Sequence, residues 1–591
     1  MCGIFCFLTR NPTQPDESKL TERTKCLLHN RGPDLQLEHQ VECNNFVGQF
    51  SGFVLWQQGT TATTQPMVKD DHVFLFNGDV YSSGSLIPKL PTQSDTDWLF
   101  GKIIECIDEP SFFDLMKEIR GPYSFIYFNG KTKRLYFARD SLGRQTLLIG
   151  SHQNSIYITS VASKEFGVHS FMEVPPIGIF CLKFGENDFH IGLNTWQDMS
   201  VSDHFADQMK SVEELLGCRI SLEGNLEPSW MTIVDNQSVD FSFKCLLDDY
   251  NDKTPLEILT QVSNIKEISS GCDELIRLLT RSVKQRVQAT PSLCKNCIKV
   301  KISGDSNQLV CCNHPKIGIL FSGGIDCTII ALLADRFIDK TEDIDLINVS
   351  FEKIIREPKQ KVGNINYETP DRLTSRQTLN ELMELCPERK WNLIEVDATR
   401  SELKDALAER ISDLCYPLNS VLDESLGAAL WFAASSKGKV NSVNYESPCR
   451  VLLIGSGADE LFGGYTRHRN AFTRSINSDS WTNLDNELSL DWTRLPSRNL
   501  ARDDRIIGDH SVTARSPYVE ESVAFFVRNL KSHQKCFHRL PEGIGDKLLL
   551  RLCGFRMGLR NVCWLKKRAL QFGSRVADRK QNAKDISEAL R

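Results

Sequence analysis

An apolar run at 317–321, Ile317-Gly318-Ile319-Leu320-Phe321, leads without a break into Ser322-Gly323-Gly324-Ile325-Asp326-Cys327-Thr328, and this junction constrains the fold more than any other stretch. A short run apolar at every position reads as a buried strand. Two glycines permit a tight turn behind it, and the residues that follow predict a helix over 328–337. The same alternation continues downstream. Strands are expected at 346–351, 392–396 and 451–454, with a helix over 372–385. Strands alternating with helices imply an α/β domain, a parallel sheet flanked by helices. A helix over 273–287 opens this domain, with Leu275, Ile276, Leu278, Leu279, Val283 and Val287 on one broad face.

The first 185 residues have a different rhythm. Alternating, β-branched and aromatic segments at 3–8, 73–76, 123–128, 135–138 and 155–158 read as strands, with helices over 20–29 and 96–118, so an α+β layered domain is expected over 2–185. Residues 186–270 show no sustained period and read as a variable linker or insertion, folded locally or disordered. The second domain is expected over 271–575, and 576–591 as a loose polar tail. The net charge of −6 gives no reason to expect nucleic acid or an anionic membrane as partner. No apolar run is long enough to span a membrane. No signal peptide is evident, and 20 irregularly spaced cysteines read as reduced thiols, so a cytoplasmic protein is expected.

Cys2 stands directly behind the initiator Met1. Removal of Met1 would leave an α-amino group, with a pKa near neutrality, on the residue that carries the thiol. Nucleophile and base then share one residue. Behind it follow, in order, His29-Asn30-Arg31-Gly32-Pro33-Asp34, Asn77-Gly78-Asp79-Val80-Tyr81, Ser94-Asp95-Thr96-Asp97 and Ala138-Arg139-Asp140. This series resembles the class II glutamine amidotransferases as fused in asparagine synthetases. The resemblance implies an N-terminal-nucleophile αββα sandwich. It also implies that Cys2 attacks the glutamine side-chain amide, that Asn77 and the Gly78 N–H form the oxyanion hole, that Asp95 pairs with the substrate ammonium, and that Asp79 and Arg31 bind substrate or order the site around it. Asp79 stands where the family usually has Glu. Gly52-Phe53-Val54-Leu55 aligns with a segment whose arginine clamps the glutamine carboxylate, and no such arginine is present.

A strand running through Ser-Gly-Gly into a helix presents backbone N–H groups that suit phosphate, and no Gly-Lys-Ser/Thr of the Walker type occurs. The 322–327 string resembles the pyrophosphate loop of the ATP pyrophosphatases. Leu453-Ile454-Gly455-Ser456-Gly457-Ala458-Asp459-Glu460-Leu461-Phe462-Gly463-Gly464-Tyr465 is similar to the asparagine synthetase signature. The resemblance implies that Ser322, Gly323, Gly324, Asp326, Cys327 and Gly455 bind the nucleotide, with Leu320 and Val349 flanking the adenine. It places Mg2+ on Asp326 and Asp459 and a charge-stabilising lysine at Lys547. Arg515-Ser516-Pro517-Tyr518 and Lys566-Lys567-Arg568-Ala569-Leu570-Gln571-Phe572-Gly573 echo further family segments. Cys327 replaces the usual Ser, a weaker donor. Ser456 replaces a Glu thought to serve the amide-forming step.

Together the two halves imply glutamine-dependent, ATP-consuming amide synthesis, with glutamine, ATP and aspartate or another carboxylate as substrates. Two alternatives stand beside this. One is a diverged paralogue with weak or lost catalysis that acts as a binding or regulatory protein; the other is an RNA-modifying ATP pyrophosphatase. A homodimer stays open. So does zinc on Cys294, Cys297, Cys311 and His314, where Cys294-x-x-Cys297 and Cys311-Cys312-Asn313-His314 flank a predicted hairpin.

Overall fold

Gly3–Arg10 is apolar from Ile4 to Leu8 because both of its faces are covered. The computed structural model describes residues 2–10, 20–90, 92–152, 155–166, 171–186, 188–196, 203–228, 241–246, 250, 252–304, 310–355, 364–474, 480–577 and 582–590. In it Gly3–Arg10 pairs antiparallel with Phe46–Val54 and Ser155–Thr159. The six-stranded sheet that results runs in the order Phe171–Glu173, Leu148–His152, Ser155–Thr159, Gly3–Arg10, Phe46–Val54, Leu35–Cys43. On one side Ile4, Cys6 and Leu8 share a core with Val73, Leu75, Ile126 and Phe128 of a second sheet. On the other, Phe5 and Phe7 meet Leu27 and Leu28 of the helix Glu22–Arg31, in a cluster that continues to Leu407, Ile411 and Tyr416 in the second half of the chain.

The second sheet has seven strands, in the order Ile220–Leu226, Phe189–Trp196, Gly178–Phe184, Arg134–Arg139, Tyr123–Asn129, His72–Gly78, Met67–Lys69. Helices Asp95–Glu105 and Glu109–Glu118 cover its outer face through Trp98, Leu99, Phe112 and Met116. These are two helices where the sequence reads one over 96–118. Asp108 ends the first run by capping the second: its side chain accepts from the Ser111 N–H, and Pro110 sits in the first turn. The layers are thus helix, sheet, sheet, helix.

The third sheet carries the expected alternation. Its order is Val443–Glu446, Lys437–Val440, Trp391–Ala398, Ile344–Phe351, Ile317–Leu320, Val451–Leu453, Thr513–Arg515. The five strands from Trp391–Ala398 to Thr513–Arg515 are parallel, and the other two join antiparallel. Lys266–Gln288, Ile325–Ala334 and Leu548–Arg556 pack on one face of this sheet around Leu275, Leu279, Ile330 and Leu549. Among the described residues no helix is long and apolar enough to cross a membrane.

Two segments differ from expectation. The stretch 186–270 is not a linker throughout: Phe189–Trp196 and Ile220–Leu226 extend the second sheet, and Pro255–Ser263 packs into the core beside the third sheet through Ile258, Leu259 and Val262. Within it, residues 187, 197–202, 229–240, 247–249 and 251 lie outside the described residues. The tail is docked over 582–590. The Ser587 N–H donates to the Asn419 carbonyl at 2.8 Å, the Asp585 carbonyl accepts from Val421 at 2.9 Å, and Leu590 is buried. Backbone pairing and one leucine hold what its polar composition reads as loose.

The halves meet through buried charge. Arg31 pairs with Asp504 at 2.8 Å, Arg450 with Asp34 at 2.6 and 3.0 Å, Arg144 with Glu521 at 2.6 Å, and Arg505 with Glu173. A guanidinium can be buried at tolerable cost only where carboxylates and carbonyls satisfy its donors.

Candidate functional site

Cys2 opens the strand Gly3–Arg10, which delivers it to a small cavity between the first two sheets and the second half of the chain. Its backbone nitrogen donates to Asn77 Oδ1 at 2.8 Å, and the Gln65 side-chain amide donates to its Sγ at 3.4 Å. Gly78 follows at the end of the adjoining strand His72–Gly78, and both Cys2 and Gly78 line the cavity. Asn77 Nδ2 is committed to Gln145 Oε1 at 3.2 Å.

The two carboxylates of this cavity are also committed. Arg515 grips Asp79 with two bonds of 2.9 Å, joined by Gln58 at 2.8 Å and the Tyr81 hydroxyl at 3.1 Å. Burial works against the Asp79 carboxylate, but Arg515 outweighs it and holds the group below its usual range. Asp95 pairs with Lys89 and accepts from the Val80 N–H at 2.7 Å, and burial pushes it up against the pull of Lys89. What remains is about 40 Å³, room for water but not for an amino acid. Arg31 does not come here. It sits on the buried face of Glu22–Arg31, three and four residues after Leu28 and Leu27, and this helical spacing turns it toward Asp504 in the second half.

The second site is larger. Ile317–Leu320 ends at the 322–324 turn, and Ile325–Ala334 begins at once behind it, with no side chain capping its N-terminus. Gly323 has φ +78°, and a Cβ there would lie 2.6 Å from the Ser375 nitrogen and the Thr374 carbonyl, so only glycine fits. Asp326 and Asp459 arrive from different strand ends and converge on Lys547: its Nζ lies 2.7 Å from Asp326 Oδ2 and 3.0 Å from Asp459 Oδ1. Lys567 pairs with the other Asp459 oxygen at 2.7 Å. Burial pushes the Asp326 carboxyl up. At Asp459 burial pushes the same way, yet Lys547 and Lys567 outweigh it and hold this carboxyl well below the usual range. Ser322, Gly324, Cys327, Leu320, Val349 and Gly455 line the same cavity of about 500 Å³. So do Arg494 and Arg498, neither with an ion pair among the described residues. A basic cavity with open helix N–H groups suits a polyanion.

Between the two lies a cavity of about 20 Å³, enough for about one water-sized molecule. It shares Gln145 and Arg515 with the surroundings of Cys2, and Ile454 and Asp503 with the large cavity.

Known proteins show the same pairing of halves. The glutamine amidotransferase domain profile matches residues 1–173, and the asparagine synthase profile matches 311–479. An asparagine synthetase domain-containing protein of Drosophila melanogaster is 42% identical over 100% of both chains. The chain belongs to the asparagine synthetase domain-containing family. The asparagine synthetase domain-containing protein 1 of Mus musculus is 33% identical over 100% of this chain and 99% of its own. A probable asparagine synthetase (glutamine-hydrolyzing) of Acanthamoeba polyphaga mimivirus is 21% identical over 90% and 78%.

In this asparagine synthetase domain-containing chain the departures in sequence have structural counterparts. Gly52 is more than a missing arginine: a Cβ there would lie 2.3 Å from the Gln65 carbonyl, so the backbone has taken the space. The Cys327 thiol donates to the Gly324 carbonyl at 3.2 Å, and burial pushes it up to about 11, which keeps it a neutral turn-closing donor. Ser456 lines the large cavity beside Glu460. Glu460 is the residue that sequence reasoning passed over. Burial, reinforced by Asp459, pushes its carboxyl up to about 7, and Tyr465 and Asn499 hold it at 2.7 and 3.1 Å. Its only local signal was its place directly after Asp459. Lys89 gave no signal at all.

Proposed function

We propose that the chain is an ATP-dependent ligase of the asparagine synthetase type, which adenylates a carboxylate, aspartate by family resemblance, and then transfers ammonia to it. The observation that carries this reading is the convergence of Asp326 and Asp459 at the mouth of the glycine turn, inside a basic cavity of about 500 Å³. The stacked sheets are read as the N-terminal-nucleophile sandwich and extend to Leu226. The parallel sheet is read as that of an ATP pyrophosphatase, starting near Pro255.

The helix N-terminus behind Gly324 and the 322–324 backbone would cradle the β- and γ-phosphates, with adenine between Leu320 and Val349. A substrate carboxylate oxygen attacks the α-phosphorus and pyrophosphate leaves. Lys547 offers its charge to the phosphates that separate. Arg494 and Arg498 are free to hold the other carboxylate of the acceptor. Ammonia then attacks the acyl carbon, AMP leaves, and the released proton passes to Glu460, which is close to half ionised at neutral pH and so suited to accept it. The donor set fits Mg2+: two carboxylates converge, and lysine ammonium groups at 2.7–3.0 Å stand where a cation would bind them. Asp326 and Asp459 would hold the ion, which when bound neutralises charge on the polyphosphate.

Glu460→Gln separates the steps. Amide formation is expected to fall about 10²-fold further than carboxylate-dependent ATP–pyrophosphate exchange. In the unsubstituted chain amide formation should rise with pH through about 7, as Glu460 loses its proton, and the Gln variant should flatten that rise. Parallel loss of both partial reactions with an unchanged pH profile would remove Glu460 from the chemistry.

A second reading is favoured by the small cavity at Cys2: the amidotransferase half binds or regulates, and free ammonia supplies the nitrogen. The two readings part on the donor. If Lys89 only stands in for a substrate ammonium on Asp95, glutamine supports synthesis, and Lys89→Met lowers the KM for glutamine about tenfold by removing a competing cation. If ammonium chloride supports synthesis and glutamine does not, with or without Lys89, the second reading holds.

A further inference from the structure

We propose that Cys294, Cys297, Cys312 and His314, none of which lines either cavity, form a structural zinc site. Their ligand atoms all lie within 4.8 Å of one another. His314 Nδ1 is 3.6 Å from Cys294 Sγ and 3.5 Å from Cys297 Sγ. A tetrahedral ion with Zn–S of ~2.3 Å and Zn–N of ~2.0–2.1 Å sets neighbouring sulfur and nitrogen about 3.6 Å apart. The two edges from His314 to Cys294 and Cys297 therefore already have the length that zinc requires, and every other pair lies within 4.8 Å. The three cysteines are free thiols, so no disulfide competes for them.

Local structure explains the arrangement. Cys294 is the N-cap of the helix Lys295–Ile302 and Cys297 lies in its first turn. This helix replaces the hairpin expected between the cysteine pairs. No side chain caps it, so the positive end of its dipole lies beside Cys294 and Cys297. Cys312 and His314 come from the irregular segment that leads into Ile317–Leu320, in which Cys312 is half-buried among the ligands and Cys311 is exposed. The sequence had paired Cys311 with this set; the geometry assigns Cys312 instead. The Cys294 N–H donates to Cys312 Sγ at 3.2 Å, and Lys316 holds the Cys312 carbonyl at 2.8 Å, the outer hydrogen bonds that fix a ligating sulfur.

Three thiols and one imidazole close the coordination shell and leave no position for a reacting water, so the ion is structural. It has a specific place to fasten. Cys297 and Cys312 pack on a small cluster of Trp56, Leu293 and Ile298, and Trp56 also lines the cavity at Cys2. The ion would clamp the helix and the lead-in to the phosphate-turn strand onto a loop of the amidotransferase half.

The test needs no catalytic activity and is independent of the proposed reaction. The full chain, purified reduced and without chelator, should carry about one zinc per molecule by mass spectrometry of the metals. Cys312→Ser and Cys294→Ser should reduce this to less than about a tenth. Cys311→Ser should leave it unchanged, and His314→Cys should retain metal as a four-thiolate site. Cobalt exchanged into the unsubstituted chain should show thiolate-to-cobalt charge transfer and tetrahedral d–d bands, shifted in His314→Cys. A chain with neither zinc nor thiolate–cobalt bands overturns the proposal, as does an iron content in place of zinc, or loss of zinc in Cys311→Ser equal to that in Cys312→Ser.

Discussion

Asp459→Asn is expected to lower ATP–pyrophosphate exchange by about 10³-fold, about 4 kcal/mol at the transition state. The substitution keeps the shape of the side chain and removes its charge. In the folded protein that charge is held fully ionised by Lys547 and Lys567, despite burial. The amide offers one oxygen in place of two, cannot hold a divalent ion with Asp326, and leaves two buried or half-buried ammonium groups facing one carboxylate. Loss of folding would mimic this result, and two lysines lose a partner, so the urea midpoint of the variant is measured alongside and exchange is compared where both proteins are folded. A decrease of less than tenfold would place the carboxylate outside the reaction.

Arg515→Ala is expected to destabilise the fold by ~3–5 kcal/mol, because it strands a buried carboxylate whose partner lies in the other half of the chain. The pH dependence carries the diagnosis. In the intact protein Asp79 is depressed, so its contribution is fully present above the unfolded value of ~3.9 and lost only as pH falls through the folded value. Without Arg515, burial acts on Asp79 with less opposition and its folded pKa rises. The penalty then grows as pH rises and the buried group is forced to ionise. Urea midpoints should therefore differ more between variant and parent at pH 8 than at pH 5. An equal difference at both pH values would mean that Arg515 acts through packing and its carbonyl contacts, to Arg286 at 2.6 Å and Ala289 at 3.2 Å, and not through Asp79.

The features legible in the sequence share a physical character. Buried parallel strands are short, continuous and apolar, which is why 317–321, 346–351, 392–396 and 451–454 all fall on strands of the third sheet. Thr513–Arg515 joins that sheet with only three residues, two of them polar, and Lys437–Val440 with Val443–Glu446 forms a polar antiparallel edge. None of these has an apolar period to read. Leu35–Cys43 was missed because most of it faces solvent. At the sites, residues carried by local motifs came together: Cys2 with Asn77, and the 322–327 turn with Asp326 and Asp459. What stayed hidden was long-range pairing. Arg515 reaches Asp79 across 436 positions, and Arg31 reaches Asp504 across 473. Such partners leave no spacing to detect. Glu460 was hidden for another reason: its role depends on burial beside Asp459, which residue type alone does not show.

The most direct test is carboxylate-dependent exchange of labelled pyrophosphate into ATP by the full chain with Mg2+. Label is expected to enter ATP when aspartate, or another small carboxylate that the cavity accepts, is present, and to stay out when it is omitted. A chain that binds ATP yet exchanges no label with aspartate or with any of a panel of amino acids and small carboxylates would contradict adenylation at the 322–327 turn.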